Sequence, residues 1–314
     1  MKINKSSYEN SVLESKTIVL DSNFSSSLSS GQGLSNSSKK PIHALTIDLE
    51  DWYQSSVDTS APISKRVIRN TNILLDCLKA RAVQATFFVQ GKVAETFPDL
   101  IQEIQRHGHE IQSHGYSHIP LHFLDADSFR EDLCRSIEVI EGITGQKVTA
   151  FRAPDFSIDE TNLWALDVLV ECGIEVDSSI FPMKTWHYGI SGAPLHPYEV
   201  STPKGASLLE VPVAVWSLGK RRLPISGGGY LRLLPYAVLR RGMQAIEAVG
   251  RPGVLYCHPY EFAPNEIDEY TGQVNPLFAI YQKLGRKYFV RRIEQLLQDF
   301  NFGRLDQCIA GMQI

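Results

Sequence analysis

From residue 41 onward, short apolar runs alternate with longer segments of helical spacing. HALTIDL, ATFFVQG, HEIQSH, VTAFRAP and IEVDSS read as successive strands. Between the first two, SKRVIRNTNILLDCLKARA can place Val67, Ile68, Leu74, Leu75 and Leu78 on one helical face. PDLIQEIQRHG reads as a short amphipathic helix with Pro98 near its start and Gly108 at its end. Two further helical segments open on capping-box patterns, Ser128-x-x-Glu131 and Ser157-x-x-Glu160. SLLEVPVAVW and GVLYCHPY predict later strands; LPYAVLRRGMQAIEAVG and YFVRRIEQLLQDF predict later helices. Repeated strand–helix alternation predicts an α/β fold with a parallel sheet and helices outside, closed as a barrel or open as a doubly wound sheet. The first strand is not followed by G-x-G-x-x-G, which weakens the dinucleotide-binding version.

Residues 1–40 differ. Thirteen of them are Ser, and IVL at 18–20 is their compact apolar cluster. Such a stretch buries too little surface to offset its ordering entropy, so a flexible, disordered tail is expected. The formal net charge of −4 gives no basic footprint, and no nucleic-acid partner is expected. The five cysteines are scattered, odd in number and without a CxxC pair. They are expected to be buried free thiols rather than a disulfide framework or a thiolate metal site. Neither a secretory signal nor an apolar run of about 18 residues is seen, so no transmembrane segment is expected. A cytoplasmic location follows by default, with peripheral membrane association left open.

Polar residues recur just after the strands. The first strand ends in Asp48-Leu49-Glu50-Asp51, the third in Ser113-His114-Gly115-Tyr116-Ser117-His118, and the fourth in Arg152-Ala153-Pro154-Asp155. Asp177 ends the fifth, and Cys257-His258-Pro259 ends a late strand. In an α/β barrel these ends meet on one rim. His114 and His118 can face one ion on a helical turn or across a tight loop, and a carboxylate from another strand end would complete a catalytic-type metal site. Strand alternation puts Asp48 and Glu50 on one face. Glu50 is therefore the favoured ligand, with Asp51 close behind it. His107 and His109 flank a helix-ending glycine and are expected at the surface. Trp52 and Tyr53 suit either a sugar face or plain core packing. SGGGYLRLLPY lacks the GK[ST] of a phosphate loop and reads as a tight turn or a substrate-shaping loop carrying Tyr230.

The ordered set TIDLED, SHGYSH, FRAPDFS, VDSS and LYCHPYEF resembles the NodB-homology polysaccharide deacetylases over most of residues 41–300. GGGYLRLLPY and the tail after CHPYEF resemble the subgroup found with bacterial exopolysaccharide synthesis and export loci. The resemblance implies a deformed (β/α)7 barrel over 41–314, with a subgroup-specific extension from about residue 205. It implies one divalent metal, commonly zinc with cobalt, nickel or manganese as alternatives. It implies hydrolysis of an acetyl group, usually N-acetyl, on a sugar of an acetylated polysaccharide or its oligosaccharide precursor. Exopolysaccharide synthesis machinery would be the partner.

Carried over by position, Asp48 matches the general base and His114 and His118 the metal ligands. Arg152 matches the arginine that orients the base, His258 the general acid, and Asp177 the carboxylate that tunes that histidine. Leu49 separates Asp48 from Glu50 where the commonest pattern has adjacent aspartates. Asp155 stands where Tyr often follows Pro154, and its backbone N–H is expected to contact the oxyanion. Two other readings stand beside this one: a hydrolase of a small non-sugar linear or cyclic amide on the same scaffold, and a non-catalytic carbohydrate-binding protein.

Overall fold

The first apolar run becomes a seven-residue strand, β1 (His43–Leu49), buried along its whole length. The computed structural model describes residues 40–185, 188–219 and 221–312, so the Ser-rich tail lies outside the described residues except for Lys40. The further strands are β2 (Thr86–Val89), β3 (Glu110–Ser113), β4 (Ala150–Phe151), β5 (Val176–Asp177), β6 (Tyr198–Ser201), β7 (Ser207–Glu210), β8 (Val215–Leu218), β9 (Arg221–Pro224), β10 (Val254–Cys257) and β11 (Phe302–Gly303). Seven of them run in parallel in the order β10-β1-β2-β3-β4-β5-β7. β6 adds antiparallel to β7, and β11 adds to the start of β1.

Past β7 the chain turns toward β10. Val211 N donates to Asp177 O (2.8 Å), and Ala214 N donates to Val254 O (2.8 Å). Tyr256 N then donates to Ser226 O (2.7 Å). These irregular bonds link the two ends of the parallel sheet, which makes the fold a deformed barrel. Strand alternation assigns the two sides. Ala44, Phe88, Ala150 and Tyr256 pack in one cluster inside, whereas Leu45, Ile47, Leu49, Phe87 and Val89 pack against the helices. Among the described residues, no helix is long and apolar enough to cross a membrane.

The helix Arg66–Ala80 buries Val67, Leu74, Leu75 and Leu78 as its spacing predicts. Both capping boxes are corrected. The third-strand helix starts at Ala126, one turn-fraction early, because Asp125 accepts from Ser128 N (2.8 Å) and caps it. The next helix is Trp164–Glu171, and Ser157 lies before it, donating to Pro154 O (2.6 Å) and accepting from Leu121 N (3.0 Å). SLLEVPVAVW is split into β7 and β8 by Val211–Ala214. The glycine cluster is also corrected: Gly228–Leu233 is helical, and Gly227 presses on β10 where an added Cβ would lie 2.2 Å from the Tyr256 ring.

His109 is not a surface residue. It is buried, and its Nδ1 accepts from Ala85 N (3.0 Å). Cys77, Cys257 and Cys308 are buried as expected, but Cys134 is exposed, with its sulfur 3.4 Å from that of Cys172.

Candidate active site

Asp48 faces the barrel interior from β1, and Glu50, one residue past its end, continues on the same side. Asp48 Oδ1 accepts from Arg152 Nη1 (2.8 Å), which also donates to Thr46 Oγ1 (2.7 Å). The other side of the guanidinium is held by Ser178, through Oγ (2.9 Å) and its carbonyl (3.2 Å). The Phe88 ring lies 4.3 Å below it. Arg152 is fully buried, so its charge is compensated by a short and specific set of partners, and Asp48 is fixed in one rotamer.

Glu50, His114 and His118 come together. One donor atom from each lies within 4.8 Å of the others, and all three residues are buried. His114 Nδ1 faces Arg152 O (2.8 Å), which orients the ring and leaves Nε2 directed at Glu50 Oε2 (3.8 Å). His118 Nε2 makes an ion pair with the same oxygen. Burial alone would raise the Glu50 pKa, but the His118 charge and hydrogen bond outweigh it and hold the carboxyl well below its usual range. Burial opposes a charge on His118 too, yet Glu50 pushes it up to about 9.

The histidines are placed by a loop, not by a helical turn. Gly115 (φ 72°) and His118 (φ 60°) both take left-handed backbone. Asp132, from the helix Ala126–Thr144, accepts from Tyr116 N (2.7 Å), Ser117 N (3.0 Å) and Ser117 Oγ. Ser136 Oγ meets Ser113 Oγ (2.8 Å) and donates to Gly115 O (3.2 Å).

Opposite stands His258, directly after β10. Its Nε2 lies 4.0 Å from Asp48 Oδ2 and 3.9 Å from Glu50 Oε1. Its ring stacks on Tyr260 (4.8 Å), whose hydroxyl donates to Glu50 Oε1 (3.1 Å). The carboxylate behind His258 is Glu261, with Oε2 3.1 Å from both His258 N and Nδ1. Burial lowers the His258 pKa, and Glu261, Glu50 and Asp48 together raise it above the ordinary value.

Several expected residues are elsewhere. Asp177 does not reach His258: its carboxylate bonds Ser179 Oγ and lies beside Glu210, and burial pushes it up to about 6. The register that pairs Asp177 with Glu210 across β5 and β7 turns it away from β10. Asp51 stands outside the metal-donor group. Oδ1 caps the helix Trp52–Ser56 through Tyr53 N (3.0 Å) and Gln54 N (3.2 Å), and Oδ2 accepts from Ser64 N (2.9 Å) and Ser64 Oγ (2.5 Å). Trp52 is buried in a cluster with Tyr260, Ile267 and Tyr270, and Tyr53 stacks on Tyr270 (4.9 Å). Trp52 thus packs against the C-terminal segment, and the half-buried Tyr53 stacks at its edge.

Pro154 is buried beside the site, and Asp155 is exposed on a left-handed turn (φ 55°) with its charge reaching His118. Tyr230 is half-buried near Tyr281. Sequence reasoning missed Glu261, Tyr260 and Asp132. The first was findable, because His-Pro-x-Glu has the spacing of a capping box with Pro at its first turn.

The fold and site together define an α/β barrel with a buried His-His-carboxylate group at the C-terminal ends of its strands. Residues 38–176 match the family model described as polysaccharide deacetylase, and residues 178–310 match one described as a domain of unknown function, DUF3473. A peptidoglycan-N-acetylglucosamine deacetylase of Bacillus cereus is 36% identical over 95 residues, 30% of this chain and 34% of that protein. A chitin deacetylase of Pestalotiopsis is 35% identical over 109 residues, 34% of this chain and 36% of that protein. The chain thus matches about a third of the length of these curated relatives. Among solved structures, a protein described as a polysaccharide deacetylase from Mycobacterium smegmatis matches with a TM-score of 0.54 and 25% identity, over 86% of this chain and 90% of that one.

Proposed function

We propose that this protein is a metal-dependent deacetylase that hydrolyses the N-acetyl group of a hexosamine unit in a polysaccharide or its precursor. The observation that carries the reading is the convergence of three buried donors, Glu50, His114 and His118, beside an arginine-locked Asp48 and a carboxylate-backed His258. Glu50 Oε2 is buried and aimed at both imidazoles, which fits a cation among them. Two nitrogens and one oxygen suit zinc and leave positions open. When bound, the metal supplies a Lewis acid and a water of lowered pKa.

Asp48 accepts the proton of the attacking water, and its link to Arg152 keeps the accepting oxygen directed at the site. His258 holds a proton on Nε2 and delivers it to the leaving amine. Tyr260 keeps Glu50 and His258 in register by bonding the first and stacking on the second. The backbone N–H of Asp155, on the exposed turn, donates to the acetyl oxygen as it gains charge. The two curated relatives above are named as deacetylases of peptidoglycan N-acetylglucosamine and of chitin, which supports an N-acetylhexosamine substrate. The finer reading, a bacterial exopolysaccharide or its precursor, rests on the likeness of GGGYLRLLPY and the C-terminal segment to that subgroup.

Acetate release from N-acetylglucosamine oligomers, chitin, peptidoglycan and lipid-linked sugars tests this. Release is expected with zinc or cobalt, is lost on chelation, and returns on adding metal. Asp48→Asn is expected to lower it by about 100-fold or more with metal content unchanged. Absence of acetate release across the panel by metal-loaded protein, or equal loss of metal in Asp48→Asn, would overturn the assignment.

A further inference from the structure

We propose that Arg232 is a positioning residue for His258, acting through Glu261, and that the glycine-rich segment exists to deliver it. This rests on the deacetylase reading above. The Glu261 carboxylate is divided between two partners. Oε2 faces the His258 backbone N–H and ring Nδ1, each at 3.1 Å, and Oε1 lies 3.0 Å from Arg232 Nε. The Arg232 and Glu261 side chains are 5% and 2% exposed. A carboxylate so buried is costly when left unpaired, so removing the arginine favours a Glu261 that is protonated or turned away. Either change frees the imidazole to rotate and take the wrong tautomer. With Nδ1 committed to Glu261, the proton that matters sits on Nε2, the nitrogen facing Asp48 and Glu50.

Arg232 is itself aimed by the C-terminal segment. Its Nη1 donates to Gln282 O (2.8 Å) and Leu284 O (3.0 Å), which holds the guanidinium beside Glu261 as an ion pair. Arg292 Nη1 donates to Leu231 O (2.6 Å) and Arg232 O (2.5 Å) and fixes the backbone. Two glycines permit the approach. Gly285 has φ 80°, and a Cβ there would lie 2.3 Å from Arg232 O; Gly227 lies against the Tyr256 ring, two residues before His258. The sequence SGGGYLRLLPY therefore carries its function in its arginine as well as in its glycines.

The test uses the full, metal-loaded chain with Arg232→Met, Arg232→Lys and Glu261→Gln. Two substrates are compared: an N-acetylglucosamine oligomer, whose leaving amine needs a proton, and 4-nitrophenyl acetate, whose leaving phenolate does not. For Arg232→Met and Glu261→Gln, kcat on the oligomer is expected to fall about 100-fold, the low end for a lost general acid, with KM and metal content within about threefold. Aryl acetate turnover is expected to change less than threefold. Arg232→Lys, or guanidinium added to Arg232→Met, restores part of the loss. Equal loss on both substrates, loss confined to KM, or full activity in Glu261→Gln would overturn the proposal.

The imidazole NMR spectrum reads the same contact without substrate. The hydrogen-bonded Nδ1 proton of His258 is expected in wild type and absent in both neutral variants. Its persistence in either variant overturns the proposal even if wild type cleaves no acetyl sugar, an outcome that would separately overturn the deacetylase reading.

Discussion

At the scale of single residues, the acidic run Asp48-Leu49-Glu50-Asp51 divides its work by direction. Period-two alternation sends Asp48 and Glu50 inward and leaves Asp51 to begin a helix. The two candidates for the metal carboxylate are thereby separable by experiment. Glu50→Gln is expected to lose bound metal on dialysis. Asp51→Ala is expected to keep its metal and lose about 1–2 kcal/mol of stability, the usual cost of a lost helix cap. Metal stoichiometry and urea unfolding of the two variants check this, and metal loss in Asp51→Ala alone would reverse the assignment. The placing of Asp48, Arg152, His114, His118 and His258 in one group was legible because each lies at the C-terminal end of a strand or in the loop just after it. The carboxylate behind His258 was missed, although its capping-box spacing was there to be read. The family resemblance pointed to Asp177, whereas the side chain that reaches Nδ1 is three residues past His258 on the same turn. Trp52 and Tyr53 show the same limit: their residue type suited a sugar, but their partners, Tyr270 and Phe278, come from a distant segment.

At the scale of elements, the histidine spacing was legible but its geometry was not. Four residues can span a helical turn or a loop, and the choice falls to Asp132, on a helix that sequence reading treated only as outer packing. One carboxylate satisfies two backbone N–H groups and a hydroxyl, so it holds the loop in a conformation with two left-handed residues. Asp132→Ala is therefore expected to weaken metal binding about 10- to 100-fold, as loss of a group supporting a ligand commonly does. Competition with a chelator measures it, and unchanged affinity would mean the loop holds without that anchor. The misplaced capping boxes have a related cause. The pattern pointed to Ser128, but Asp125, three residues earlier, caps the helix by accepting from Ser128 N. Short strands such as β4 and β5, two residues each, were legible as the apolar runs VTAFRAP and IEVDSS, although their lengths were overread.

At the scale of the whole molecule, the barrel joins two sequence regions into one site. Residues 38–176 contribute Asp48, Glu50, His114, His118 and Arg152, while the region matching the domain of unknown function contributes His258, Glu261 and Arg232. β10 lies next to β1, so His258 sits across from Asp48 although the two are 210 residues apart. The opposite end of the barrel has a different task. There His109, between β2 and β3, accepts a hydrogen bond from Ala85 N and packs on Phe87 (5.1 Å). Burial, helped by the charges of His107 and Arg304, lowers its pKa from 6.5 to about 4. The unfolded chain therefore binds more protons than the folded one between these two values. The contribution of neutral His109 is present in full above pH 6.5 and is lost as the pH falls toward 4. At pH 5 the loss amounts to about 2 kcal/mol by linkage. Chemical unfolding at pH 7 and pH 5 checks it. The wild-type chain should lose about 2 kcal/mol more between them than His109→Gln, whose side chain does not titrate. Both proteins carry the same other titrating groups, including Asp177 and Glu266, so these cancel in the comparison. An equal change in the two proteins would mean that His109 takes up its proton in the folded barrel as readily as in the unfolded chain.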